Sequence, residues 1–85
     1  MEVSSTNVLA KAIRFHRRRS GLSQRALADL AGIGKTSVFD IEKGKPTVRL
    51  ATIMAVLRVL NIKLALSSPL IGEFRSQAES IEARP

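Results

Sequence analysis

The chain of 85 residues contains no cysteine, tryptophan or tyrosine, and its single histidine is His16. The lack of cysteine excludes a disulfide framework and a thiolate metal site, and one histidine offers no catalytic cluster. Three phenylalanines are the only aromatic residues, fewer than base stacking on single strands normally requires. No apolar run approaches the roughly 20 residues of a membrane span. We therefore expect a cytoplasmic protein that is not an enzyme, with no metal, cofactor or membrane partner.

Positive charge is abundant and concentrated in one half of the chain. The formal net charge is +7, and residues 11–49 hold ten of the fourteen Lys and Arg residues but only three of the seven acidic ones. This concentration is typical of a nucleic-acid-binding surface, and a solubilising basic surface is the alternative. A chain of this length forms one small domain, for which a dimer partner adds stability.

Helical periodicity predicts four helices in the first 60 residues. The first follows a cap at Asn7 or Thr6 and ends at about Arg19, and the others span about Gln24–Ala31, Lys35–Lys43 and Val48–Leu60. Ser23 is a good N-cap for the second helix, Gly32 ends it in a left-handed conformation, and Thr47 is positioned to cap the fourth. The fourth helix is expected to bury Leu50, Ile53, Met54, Leu57 and Leu60.

After Asn61 the apolar period changes from 3.6 to 2. The segment IKLALS alternates apolar residues with Lys63, Ala65 and Ser67, which predicts a strand containing Ile62, Lys63, Leu64, Ala65 and Leu66. From residue 68 the chain is polar and unpatterned, apart from a short frayed helix that residues 78–84 can form. The sequence thus predicts a domain over residues 1–67 and a flexible C-terminal tail over residues 68–85.

The stretch GIGKTS, residues 32–37, looks at first like the end of a phosphate-binding P-loop. A P-loop requires a glycine five residues before the glycine of Gly-Lys-Thr, but Asp29 stands there. The preceding segment is also predicted as a helix rather than a strand. The P-loop interpretation is therefore excluded.

Two short helices joined by a glycine turn define a helix-turn-helix unit, in which the second helix enters the major groove. The chain has a small residue, Ala28, where the helices must cross closely, and a turn glycine, Gly32. The branched apolar residues Val38 and Ile41 lie where the second helix must pack. With the N-cap at Ser23, these features together favour a helix-turn-helix.

The segment GLSQRALADLAGIGKTSVFDIEKGKPTVRLATI resembles the lambda-repressor-like (Xre/Cro) class of helix-turn-helix regulators. The resemblance covers about residues 8–60. It implies a mainly α, four- to five-helix DNA-binding domain and a sequence-specific transcriptional repressor of double-stranded DNA, near the nucleoid. It also implies a partly buried ion pair between Arg17 and Glu42, which ties the first helix to the third.

The resemblance also assigns the DNA contacts by position. The expected base-reading residues are Lys35, Thr36, Ser37, Phe39 and Asp40. Lys35 can donate to guanine and Asp40 can accept from the N4 amino group of cytosine, whereas Phe39 either contacts a thymine methyl group or packs on a neighbouring element. The expected phosphate contacts are Ser23, Gln24, Arg25, Lys43 and Lys45, with Gln24 at a helix N-terminus.

A helix-turn-helix followed directly by one strand resembles the HipB-type antitoxin, whose partner is a HipA-type kinase toxin. A lone strand exposes unpaired backbone groups, so we expect residues 62–66 to pair with a second copy in an intermolecular two-stranded sheet; a strand that caps its own monomer is the alternative. The expected function is the antitoxin of a HipBA-like system that represses its own operon. The alternatives are a stand-alone phage-type or restriction-modification controller regulator, and a protein-interaction module that does not read DNA.

Overall fold

The computed structural model of the chain describes residues 1–82, and these form five helices. The helices are α1 (Thr6–Arg19), α2 (Gln24–Ala31), α3 (Lys35–Glu42), α4 (Leu50–Val59) and α5 (Ile71–Glu82). Among the residues described, no helix is both long and apolar enough to cross a membrane.

The first four helices enclose one small hydrophobic core. Helix α2 packs against α3 and α4, while α3 also packs against α1 and α4. The buried apolar residues are Ala10, Ile13, Leu27, Ala28, Val38, Ile41, Val56, Leu57 and Leu60. Every one of these four helices contributes to the cluster, so α3 is held by contacts with its three neighbours.

Helix α2 and the turn that follows it form as the sequence predicts. The hydroxyl of Ser23 accepts a hydrogen bond from the Ala26 amide at 3.0 Å, and Gly32 has a left-handed φ of 72°. The amide of Ile33 then donates to the carbonyl of Ala28 at 3.0 Å. These bonds satisfy amide and carbonyl groups that a helix otherwise leaves unpaired at its ends.

The prediction for α4 was wrong at its start and on its buried face. The helix begins at Leu50 after Arg49, and Thr47 lies in the preceding turn rather than at the N-cap. Leu50 is 65% exposed and Met54 is 39% exposed, whereas Val56 is fully buried. Because α4 is apolar on all sides, its periodicity does not identify which side faces the core.

The segment after α4 forms no strand within residues 1–82. The amide of Ile62 donates to the carbonyl of Leu57 at 2.9 Å, and Ile62 packs against the core. Beyond it, Leu64 and Leu66 are 47% and 75% exposed. A strand is defined by hydrogen bonds to a neighbouring strand, so the alternating pattern alone does not produce one, and the intermolecular sheet stays a prediction.

The region predicted as a loose tail contains a helix. Helix α5 spans Ile71–Glu82 and starts well before residues 78–84, where a short helix was predicted. The end of that tail, residues 83–85, lies outside the described residues. Ile71 and Ala78 are partly buried, and Phe74 is 48% exposed. These three residues are spaced as one face of a helix, a pattern that the polar residues between them obscure in the sequence.

Gly44, two residues after the end of α3, is expected to be the glycine least tolerant of alanine. It has a φ of 78°, where a side chain is strained, and an added Cβ overlaps the side-chain oxygen of Asn7. Gly21 has a similar φ of 71° but open space around it. We expect Gly21→Ala to lower the free energy of unfolding by about 1–2 kcal/mol and Gly44→Ala to lower it by more. Urea unfolding followed by circular dichroism measures both, and equal losses would rule out the steric term.

Candidate nucleic-acid interface

Helix α3 turns one side to the core and the opposite side outward. Val38 and Ile41 are buried on the inner side. At 3.6 residues per turn the outward side carries Thr36, Phe39, Asp40 and Lys43. Helix α3 begins after Gly34 without a side-chain cap, so its first amide groups have no side chain bonded to them.

The five predicted base-reading residues do not share one environment. Lys35 and Thr36 are exposed at the first turn of α3, whereas Ser37 is partly buried beside it. Phe39 is 46% exposed, and the Lys43 ammonium lies 5.0 Å from the centre of its ring. A cation above an aromatic face is attracted by the ring electrons. Phe39 is therefore covered in part by Lys43 and stays outside the core.

Asp40 forms an ion pair with a residue just beyond α3. Its Oδ2 atom lies 3.6 Å from Lys45 Nζ, and the two side chains are 27% and 54% exposed, respectively. The structure thus brings a predicted base reader together with a predicted phosphate contact. The negative charge of Asp40 is partly offset before any DNA is present.

Three further predicted phosphate contacts lie around the start of α2, whereas Lys43 follows the end of α3. Ser23 and Arg25 are exposed there. The side chain of Gln24 is directed inward, where its Nε2 donates to Glu42 Oε1 at 3.4 Å. Its backbone amide remains at the N-terminus of α2, the position that favours a phosphate.

The ion pair between Arg17 and Glu42 is present and two-pronged. Arg17 Nε donates to Glu42 Oε2 at 2.6 Å, and a second guanidinium nitrogen donates to Oε1 at 3.0 Å. The third nitrogen donates to the carbonyl of Leu22 at 2.8 Å. The side chains are only 11% and 4% exposed, respectively. The hydrogen bonds to Glu42 raise the pKa of Arg17 above its ordinary value, so the guanidinium stays charged.

A groove beside α3 contains residues that the sequence-based reasoning did not assign to DNA. It is lined by Ser37, Asp40, Lys45, Thr47, Val48, Arg49 and Thr52. The basic and hydroxyl side chains among them are suited to anionic oxygen atoms. The sequence predicts Thr47 only as a helix cap, and the run KPTVR directly after Gly44 is the signal for its place in the groove.

Comparisons with known proteins agree with this architecture. The helix-turn-helix family HTH_3 matches residues 13–66. The chain is 35% identical over 63 residues to an uncharacterised HTH-type transcriptional regulator, y4mF, of Sinorhizobium fredii, covering 74% of this chain and 80% of the relative. It is 32% identical over 54 residues to the control protein C.SmaI of Serratia marcescens, covering 64% of each chain.

Solved structures similar to this chain include a HipA–HipB–O2–O3 complex and a HipB–O4 20mer complex. In each, the matching chain is 25% identical and superimposes with a TM-score of 0.74. The match covers 81% of this chain and 97% of the other. The similarity thus extends past the four core helices.

Proposed function

This chain belongs to the helix-turn-helix family of DNA-binding transcriptional regulators, and we propose that it represses transcription by binding a specific double-stranded operator. The observation that carries the proposal is the outward face of α3. Thr36 and Lys43 are exposed on that face beside Phe39 and Asp40, and Lys35 is exposed at the first turn. Helices α1, α2 and α4 hold α3 from behind. This is the arrangement in which a recognition helix enters the major groove.

Salt dependence gives a direct test of this interface. If about six phosphates are neutralised per complex, a plot of log affinity against log salt concentration has a slope of about −5. Fluorescence anisotropy with a duplex from the region upstream of the gene measures it, and a random duplex of equal length is the control. Equal affinity for the two duplexes would contradict sequence-specific repression.

Lysines at the two ends of α3 should act differently. Lys35, at the exposed first turn, is placed to donate to guanine, so Lys35→Ala should reduce discrimination between operator and random DNA by roughly tenfold. Lys43→Ala should instead weaken binding to both duplexes similarly and lower the salt slope by about one. The same anisotropy titrations measure both effects. Identical effects of the two variants on both duplexes would refute the assignment of base reading to Lys35 and phosphate binding to Lys43.

We also propose that the protein acts as a homodimer joined through residues 62–66. Support comes from Leu64 and Leu66, which are exposed at alternating positions, at 47% and 75% respectively. Pairing with a second copy covers these side chains and satisfies the backbone groups of the segment. Equilibrium sedimentation measures the assembly directly, and the proposal requires a mass twice the 9.3 kDa of one chain.

The more specific role that we propose is the antitoxin of a HipBA-like pair, which binds a kinase toxin and represses their shared operon. Its support is the similarity, over most of both chains, to a chain of a solved HipA–HipB–O2–O3 complex. Co-expression with a kinase-like gene adjacent on the chromosome tests the role. Growth rescue and co-purification are expected, and a toxin that remains active in the presence of this chain would contradict it.

A second candidate is a stand-alone controller of a restriction-modification system. It is favoured by the identity to the control protein C.SmaI, which extends over 54 residues. The two roles share the DNA interface but differ in the neighbouring gene. If the adjacent gene encodes a restriction endonuclease and not a kinase, the role of restriction-modification controller is supported over that of antitoxin.

A further inference from the structure

We propose that Lys45 is a positioning residue that holds the Asp40 carboxylate for recognition of one cytosine. The proposal rests on the proposed function, because it assumes that α3 reads DNA. It assigns to Lys45 a role other than the phosphate contact that the family resemblance implies.

The backbone after α3 places Lys45 beside Asp40. The amide of Gly44 donates to the carbonyl of Ile41 at 3.0 Å, and the amide of Lys45 donates to the carbonyl of Asp40 at 3.1 Å. These two bonds, with Gly44 at a φ of 78°, form a Schellman motif, which folds the chain back over the last helical turn. The neighbourhood of the two residues is therefore fixed by the main chain.

The side chains complete this arrangement. Lys45 Nζ lies 3.6 Å from Asp40 Oδ2 on a surface where both groups keep contact with water. Exposed ion pairs of this kind contribute little to the stability of a fold. We therefore expect the ion pair to affect DNA binding, in which the two charged groups meet the DNA, more than the stability of the fold.

The chemistry of the major groove indicates that partner. An ionised carboxylate accepts hydrogen bonds but cannot donate them. The N4 amino group of cytosine is the donor that it matches in the major groove. Guanine presents only acceptors to the major groove, so a carboxylate cannot hydrogen-bond to it. Phosphates repel the same carboxylate, and the adjacent Lys45 ammonium offsets that repulsion without removing the acceptor.

Two other cations of the interface, Lys43 and Arg25, have different neighbours, and Arg25 provides the matched control. Lys43 lies over the Phe39 ring rather than on Asp40. Arg25 is exposed near the start of α2, and the cation paired with Asp40 is Lys45 rather than Arg25. Arg25→Ala therefore removes a cation from the interface while leaving the ion pair between Asp40 and Lys45 in place.

The experiment begins by selecting tight-binding duplexes from a randomised DNA library with the wild-type protein. Affinity is then measured for the selected duplex and for duplexes in which each base pair is replaced in turn. The proteins compared are the wild type, Asp40→Ala, Lys45→Ala, the double variant, Lys45→Arg and Arg25→Ala. Circular dichroism confirms that each variant is folded.

The wild type should prefer cytosine at one position by roughly tenfold or more. Asp40→Ala and Lys45→Ala should each reduce this preference, at the same position, to below about threefold, and the double variant should lose no more than either. Lys45→Arg should keep it. Arg25→Ala should keep it too while lowering the salt slope by about one, whereas the slope of Lys45→Ala should stay close to the wild-type value.

A different pattern overturns the proposal. If Lys45→Ala weakens all duplexes equally and lowers the salt slope by about one, Lys45 is a phosphate contact. Additive losses in the double variant, or a preference lost at another position, also overturn it. A wild-type protein that selects no duplex defeats the proposed function itself, which is a separate and recognisable result.

Discussion

Glu42→Ala is expected to lower the free energy of unfolding by about 3–5 kcal/mol. The substitution leaves the buried Arg17 guanidinium without the carboxylate that accepts two of its hydrogen bonds. It also removes the acceptor of the Gln24 side chain. In a domain of this size each kcal/mol corresponds to roughly 4–8 °C, so the melting temperature should fall by at least about 12 °C.

Thermal unfolding is best followed by far-UV circular dichroism, because the chain has no tryptophan or tyrosine for fluorescence. Glu73→Ala is the matched control, since it removes the same charge from an exposed position on α5. Its melting curve should lie close to that of the wild type. If Glu42→Ala also melts like the wild type, the pair has no structural importance.

Leu64→Asp combined with Leu66→Asp is expected to lower operator affinity by roughly 10²–10⁴-fold. In the proposed dimer each copy binds one half-site, so the second binding event is intramolecular and strengthens the complex by about that factor. Two aspartates in place of the leucines remove the apolar side chains that pairing buries and put charges in their place, which prevents association. The monomer retains α3 but binds half-sites independently.

The matched control places two aspartates on the other side of the same segment. Ala65→Asp with Ser67→Asp makes an equal change in charge at exposed positions whose side chains alternate with the leucines. Sedimentation and anisotropy are measured for both double variants at the same protein concentration. A Leu64/Leu66 variant that remains dimeric would exclude this segment as the interface.

The sequence predicted the helix-turn-helix closely because its signals are local. Ser23 and Gly32 mark the two ends of α2, and the spacing of Val38 and Ile41 identifies the inner side of α3. Each of these features acts through bonds and contacts within a few residues, which a single sequence records well. The pairing of Arg17 with Glu42 spans 25 positions and required the family resemblance.

The remaining differences have physical causes that lie outside local pattern. Residues of α4 are apolar on every side, so only tertiary packing decides that Val56 is buried and Leu50 is exposed. Residues 62–66 alternate as a strand does, but pairing requires a partner strand. The ion pair of Asp40 with Lys45 depends on how the chain folds back after Gly44, which the sequence marks only as a helix end.

The position of Glu42 has a consequence for how fast the protein can bind. This single carboxylate lies on α3 and accepts hydrogen bonds from side chains of both α1 and α2. The conformational entropy of ordering α3, about 1–2 kcal/mol for each residue, is therefore lost during folding and not on contact with a ligand. The recognition surface is preorganised, so the association rate is governed by diffusion and by the attraction between opposite charges.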